Sequence, residues 1–117
     1  MLINLNYQSR TPIYEQIVDE IERYVVLGVL KPNEQISAIR ELAVELGVNP
    51  NTVKKAYDEL ERKKVIVTLS TKGSYISENV DNIINEKINV KIEKINEIIK
   101  ELEILGLSKE DIIQKLK

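Results

Sequence analysis

The stretch Gly47-Val48-Asn49-Pro50-Asn51-Thr52-Val53-Lys54-Lys55-Ala56-Tyr57-Asp58-Glu59-Leu60-Glu61 constrains the fold of this chain more than any other. Asn49 is a good helix N-cap, because its side-chain oxygen can accept from a free backbone N–H in the first turn. Pro50 then falls at the first helical position, where its missing N–H costs nothing and its fixed φ suits a helix. Val53, Ala56, Tyr57 and Leu60 recur at helical spacing and make one apolar face. Asn51, Thr52, Lys54, Lys55 and Asp58 lie on the other face, at or near the helix start. Amides, a hydroxyl and two lysines beside free first-turn N–H groups suit a polar, negatively charged partner. The expected partner is DNA, through its phosphates and base edges.

What precedes this helix gives it a context. Ser37 is placed to cap a helix with Ile39, Leu42, Ala43 and Leu46 facing inward and Arg40 facing out; Gly47 closes it. Two short helices joined by a tight glycine-containing turn form the helix-turn-helix signature. In that motif the second helix enters the major groove with its N-terminal residues on base edges. Upstream, Thr11-Pro12 repeats the cap-then-proline pattern ahead of Ile13, Tyr14, Ile17, Val18, Ile21, Tyr24 and Val25, and Gly28 ends that helix. Tyr14 and Tyr24 read as core residues. Leu2-Ile3-Asn4-Leu5 alternates weakly and is expected as a short edge strand, and Val29 to Ile36 as a connector punctuated by Pro32-Asn33.

After Lys64 the period changes from helical to alternating. Val65–Leu69 is expected as a strand, Ser70–Gly73 as a turn and Ser74–Ser77 as the returning strand. A hairpin directly after such a helix is the wing of a winged helix, with Lys72 at its tip. From about Val80 the helical period resumes in Ile84, Ile88, Ile92, Ile95, Ile99, Leu102 and Leu105, with Ile83 and Ile98 widening the stripe, until Gly106. Ser108 and Asp111 then form a capping box for a last helix carrying Ile112, Ile113 and Leu116, with Leu107 and Ile112 placed as a hydrophobic staple. This tail has more isoleucine than one small hairpin can hide, and exposed apolar stripes usually meet a partner. Self-association is expected through Ile84, Ile88, Ile92, Ile95, Ile99, Leu102, Ile112, Ile113 and Leu116.

The fold class is therefore mainly α with a small β-hairpin, a winged helix-turn-helix domain over 1–78 followed by a C-terminal α-helical hairpin over 79–117. Composition narrows the chemistry. The chain has 117 residues, 43% of them apolar, with no cysteine and no histidine. The commonest metal ligand and general base are thus missing, as is any disulfide framework. An enzyme is not expected, nor a metal or cofactor. The start lacks the pattern of a signal peptide, and no stretch is apolar for long enough to span a membrane, so a cytoplasmic protein is expected. The formal net charge is −2, but from residue 54 to 72 six basic residues face three acids, a local surplus of +3 that leaves −5 for the rest. A basic patch on an acidic body still steers a polyanion.

With these residues in view the chain resembles the GntR family of bacterial transcription regulators, and is most similar to the short YtrA-type subfamily. The resemblance runs from Pro12-Ile13-Tyr14-Glu15-Gln16-Ile17 through Gly28, Leu30 and Pro32 to Arg40-Glu41-Leu42-Ala43. It continues in Leu46–Val53, Ala56-Tyr57 and Leu60-Glu61 and ends at Gly73-Ser74-Tyr75-Ile76. It implies a winged helix-turn-helix repressor that binds a near-palindromic double-stranded operator as a homodimer, controlling a transporter operon together with its own gene. It also implies DNA contacts from Arg40, from Asn49, Asn51, Thr52 and Lys54 at the recognition-helix start, and from Thr71, Lys72 and Gly73 at the wing tip. Lys55 is expected to join them on phosphate. The chain departs from the family pattern where Pro-Gly becomes Pro32-Asn33, where Pro-Ser ahead of the arginine becomes Ser37-Ala38, and where the glycines before and within the wing become Lys64 and Thr71. These changes are expected to stiffen the wing. The residues name no small-molecule effector, and the tail is expected to be too small to build a pocket within a single chain. The competing expectation is a protein-interaction module that uses the helical tail, with the winged domain as scaffold.

Overall fold

The computed structural model describes residues 2–117. Its elements are α1 (Ile13–Val26), β1 (Gln35–Ile36), α2 (Ile39–Leu46), α3 (Pro50–Arg62), β2 (Ile66–Leu69), a 3₁₀ turn (Ser70–Lys72), β3 (Gly73–Ile76), α4 (Val80–Ile104) and α5 (Lys109–Lys115). The chain divides into two compact units, the first ending at Ile83 and the second spanning Ile84–Lys117.

In the first unit α3 packs against both α1 and α2. Ile17, Ile21, Leu42, Val53, Leu60, Val65, Ile66 and Ile76 are fully buried, so the apolar faces read from spacing are the ones the fold closes over. Each such side chain contributes about 1.5–3 kcal/mol relative to exposure. Lys63, at the C-cap of α3, reaches back 3.2 Å to the Glu22 carboxylate on α1. Helix α1 ends at Leu27, with Gly28 in the left-handed region just beyond.

The sheet is larger than the hairpin expected. Its order is β1-β3-β2, both pairs antiparallel, with Gln35 opposite Tyr75 and Val67 opposite the same residue from the other side. The third strand comes from the end of the connector. At two residues it is too short to leave an alternating signal, and its pairing with β3 alone creates it.

Three local expectations are corrected. Thr11 does not cap α1: Pro12 is the N-cap residue, with ψ 148°, and its carbonyl accepts the Gln16 N–H at 3.1 Å. Residues 2–5 form no strand, although Ile3 is buried. The Gln16 side chain holds this segment instead, accepting from the Asn6 N–H at 2.8 Å and donating to the Asn6 and Thr11 carbonyls, each at 2.9 Å. A side-chain amide thus meets backbone groups that a neighbouring strand would otherwise meet. Nor does Ser37 cap α2. Ala38 occupies the N-cap, with no side-chain cap, and the Ser37 carbonyl accepts the Tyr57 hydroxyl.

Two of the positions that depart from the family pattern, Asn33 and Lys64, keep glycine-like backbones. Asn33 has φ 66° and Lys64 φ 65°. Asparagine tolerates that region well, while lysine adopts it at a cost of about 1–2 kcal/mol. The Lys64 carbonyl accepts the Ser77 hydroxyl at 2.6 Å, which helps hold the turn into the wing.

The second unit is the rest of α4, a turn through Gly106, and α5. Gly106 has φ 100°. The expected capping box is present: Ser108 Oγ accepts the Asp111 N–H, and Asp111 Oδ2 accepts the Ser108 N–H, each at 3.1 Å. These bonds hold the Asp111 carboxyl below its ordinary value.

Candidate nucleic-acid interface

The recognition helix α3 begins as its sequence demands. Asn49 lies outside the helix at φ −64°, ψ 134°, and its Oδ1 accepts the Asn51 N–H at 2.8 Å. The Asn49 side chain is therefore committed to the cap, which leaves Asn51 exposed and Thr52 half-buried as the polar groups of the first turn. Arg40 projects from the second residue of α2, exposed and without an ion pair among the described residues. The N-terminus of α2 has no side-chain cap, so first-turn N–H groups and a guanidinium occupy the same end of one helix. Both favour an anion.

The cations sort into two sets. Lys54 Nζ is 2.8 Å from Asp58 one turn along α3, Arg62 pairs with Glu59, and Lys63 is held by Glu22. Lys55, Lys64 and Lys72 make no ion pair among the described residues. The local surplus of positive charge thus has an address. Hydrogen bonding to Asp58 raises the Lys54 pKa above its ordinary value, so that group stays cationic. Both partners are highly exposed, and a pair in such surroundings is weak and exchangeable.

At the wing tip Thr71 and Lys72 are exposed on the 3₁₀ turn, and Gly73 opens β3 with φ 99° and ψ −166°, a region essentially reserved for glycine. The tip is tied down. The Lys72 carbonyl accepts from Gln35 Nε2 at 3.2 Å and from the Tyr75 hydroxyl at 3.0 Å. A Cβ at Gly73 would stand 2.8 Å from Gln35 Nε2. These bonds leave the Lys72 side chain in solvent while fixing the backbone that carries it. Gln35 belongs to β1, the strand that spacing did not disclose, so its part in the wing was not legible either.

Tyr14 and Tyr24, expected in the core, are only half-buried. Each lies beneath a cation: Arg23 is 5.4 Å from the Tyr24 ring centre and Lys55 Nζ is 4.2 Å from that of Tyr14. Pro12, Ile13 and Tyr14 of the α1 start line one groove with Asn51, Thr52 and Lys55 of the α3 start. The Tyr14 hydroxyl donates to Glu15 Oε1 at 3.1 Å, and that bond raises its pKa from the ordinary phenol value.

In the second unit Ile95, Ile99, Leu102, Ile112, Ile113 and Leu116 line one groove of about 430 Å³ together with Ile98 and Lys109. The expectation that the tail is too small to form a pocket within one chain is corrected: the turn at Gly106 brings α5 back beside α4 and leaves a concave apolar wall between them. Ile88 and Ile92 are about half exposed on α4, and Ile84 is buried. Ile112 is buried, and Ile113 and Leu116 are exposed. Among the described residues no helix is long and apolar enough to cross a membrane, and no cluster of acids is arranged to hold a metal ion.

Comparison with known proteins follows the same outline. The model of the gntR family of bacterial regulatory proteins matches residues 13–76, from the first residue of α1 to the last of β3. The HTH-type transcriptional repressor YtrA of Bacillus subtilis is 38% identical over 117 residues, covering 99% of this chain and 90% of that protein. Among solved structures, a transcriptional regulator from Oenococcus oeni superposes with a TM-score of 0.74 at 36% identity, covering 98% of this chain and 96% of the other. A transcriptional antiterminator from Listeria monocytogenes superposes at 0.73 with 44% identity, covering 99% and 87%.

Proposed function

The chain belongs to the GntR family of bacterial regulatory proteins, and from that premise we propose that it represses transcription by binding a near-palindromic operator as a homodimer in the cytoplasm. It is a DNA-binding transcription regulator and not an enzyme. The observation that carries the finer reading is the start of α3, where a helix capped by Asn49 carries exposed Asn51 and Lys55 and half-buried Thr52, while Arg40 is exposed at the start of α2. In this reading residues 1–78 read the operator and 79–117 join two copies.

The proposed mechanism assigns each cation and amide a task. Lys54, Lys55, Lys72 and Arg40 neutralise phosphates, which sets register and makes affinity fall with salt. Asn51 and Arg40 add bidentate base contacts, each worth about 1–3 kcal/mol of discrimination. Thr52 donates its hydroxyl to phosphate or base, Asn49 acts through the cap it makes, and Thr71 and Gly73 let the wing tip approach the backbone. The apolar groove of α4 and α5 supports the dimer reading, because a wall made mostly of isoleucine and leucine side chains gains from being covered. Pairing through the tail sets two recognition helices about 34–36 Å apart, one turn of DNA. An operator that overlaps a promoter is then blocked. The regulated genes in this reading are a transporter operon and the regulator's own gene.

In vitro selection of genomic fragments by the purified protein at near-physiological salt tests the proposal. An inverted repeat recovered by the wild type and lost in Arg40→Ala is the expected result. Random recovery by a folded, dimeric protein would overturn the palindromic reading and favour an interaction module.

A further inference from the structure

Lys54 and Lys55 are neighbours on the recognition helix but stand in opposite electrostatic surroundings. Lys54 is neutralised by Asp58 at 2.8 Å. Lys55 also has a carboxylate one turn along, Glu59, but Arg62 engages both oxygens of that carboxylate from the far side. The partner Lys55 finds instead is the face of Tyr14, 4.2 Å from its Nζ. An aromatic face attracts a cation without cancelling its charge or occupying it in an N–H···O bond. The stem of Lys55 is thereby held while its ammonium hydrogens remain available.

We infer that Tyr14 of α1 is a positioning residue for DNA binding, its ring holding the Lys55 ammonium at the recognition-helix start as an uncompensated cation for a backbone phosphate. The geometry places this device where it can act, since Tyr14 and Lys55 line the same groove as Asn51 and Thr52. Holding a flexible lysine before the complex forms lowers the side-chain entropy lost on binding. The Tyr14 hydroxyl, turned to Glu15, is not needed for this task. Tyr14 acts through Lys55 and need not touch DNA. The inference rests on the DNA-contact role proposed for Lys55, and the test separates the two.

The test combines NMR of the free full-length protein with a double-mutant cycle on one mixed-sequence duplex, titrated over a range of salt. Ring current from Tyr14 is expected to shift the Lys55 ε-methylene protons upfield in the wild type and in Tyr14→Phe, and to vanish in Tyr14→Leu. Tyr14→Leu is expected to weaken DNA binding by about two- to fivefold, while Tyr14→Phe binds as the wild type does. In a Lys55→Ala background, Tyr14→Leu is expected to add nothing. Wild-type affinity in Tyr14→Leu, or an undiminished loss in the Lys55→Ala background, would overturn the positioning role. A Lys55→Ala protein with wild-type affinity and salt slope would overturn the Lys55 contact itself, and the inference with it.

Discussion

The Tyr57 hydroxyl of α3 donates to the Ser37 carbonyl at 2.5 Å, tying the recognition helix to the residue that leads into α2. Tyr57 is buried and Ser37 half-buried, so the two helices of the motif are joined by a shielded polar bond as well as by packing. Arg40 lies three residues beyond Ser37, so the bond anchors the chain just before the helix that carries it.

Tyr57→Phe removes this donor and leaves a shielded carbonyl unpaired, at an expected cost of about 1–2 kcal/mol in urea denaturation. Burial, and then the charges of Glu45 and Glu41, push the Tyr57 pKa well above the ordinary 10.0. A raised pKa means the unfolded chain loses its proton first. The Tyr57 contribution is thus complete below pH 10 and declines as pH rises beyond it. The wild type is expected to lose stability above pH 10 more steeply than Tyr57→Phe, as paired denaturation curves would reveal.

Arg40→Ala and Asn51→Ala are expected to abolish specific operator binding while leaving the proposed dimer and the melting temperature unchanged, because both side chains are exposed. Gel shifts and sedimentation on the same samples check this. Full operator affinity in both variants would refute the assignment of the interface.

Asp58→Asn frees Lys54 from a pair that is exposed on both sides. It also removes a negative charge from the recognition helix. Affinity for DNA is expected to rise about two- to fivefold at low salt, with the gain shrinking as salt increases. Unchanged affinity would mean that Lys54 does not face the duplex.

Two positive-φ positions in and before the wing, Gly73 and Lys64, carry opposite expectations. Gly73→Ala forces a side chain into a glycine-only region and against Gln35 Nε2, and should cost about 1–3 kcal/mol. Lys64→Gly relieves a left-handed lysine and should stabilise by about 1 kcal/mol. Thermal melts of the two variants against wild type measure both signs.

Ile95 lines the tail groove and is about half exposed in the single chain. Ile95→Glu is expected to dissociate the proposed dimer in sedimentation while retaining the helical circular dichroism, and to lower operator affinity by at least tenfold through lost bivalency. A dimeric Ile95→Glu protein would place the dimer contact elsewhere.

Residues that carry their own local chemistry declared themselves in the sequence. Asn49-Pro50 starts α3, Ser108 with Asp111 starts α5, Gly28, Gly47 and Gly106 take the left-handed positions at helix ends, and the period of Ile17, Ile21, Val53 and Leu60 marks the core. Caps, proline positions and apolar periods act over one or two turns, so a single chain segment is enough to specify them. The structure had to decide what depends on residues far apart in the chain. Gln16 holds residues 6 and 11 in place of an edge strand or a Thr11 cap, and Tyr57 takes the Ser37 carbonyl while Ala38 starts α2. The strand at Gln35 and its bond to the wing tip, like the Lys55 ammonium over Tyr14, joins residues distant in the chain. No local period encodes such pairings: they exist because packing α3 on α1 and α2, and β3 between β1 and β2, brings polar groups together that must find partners once water is excluded.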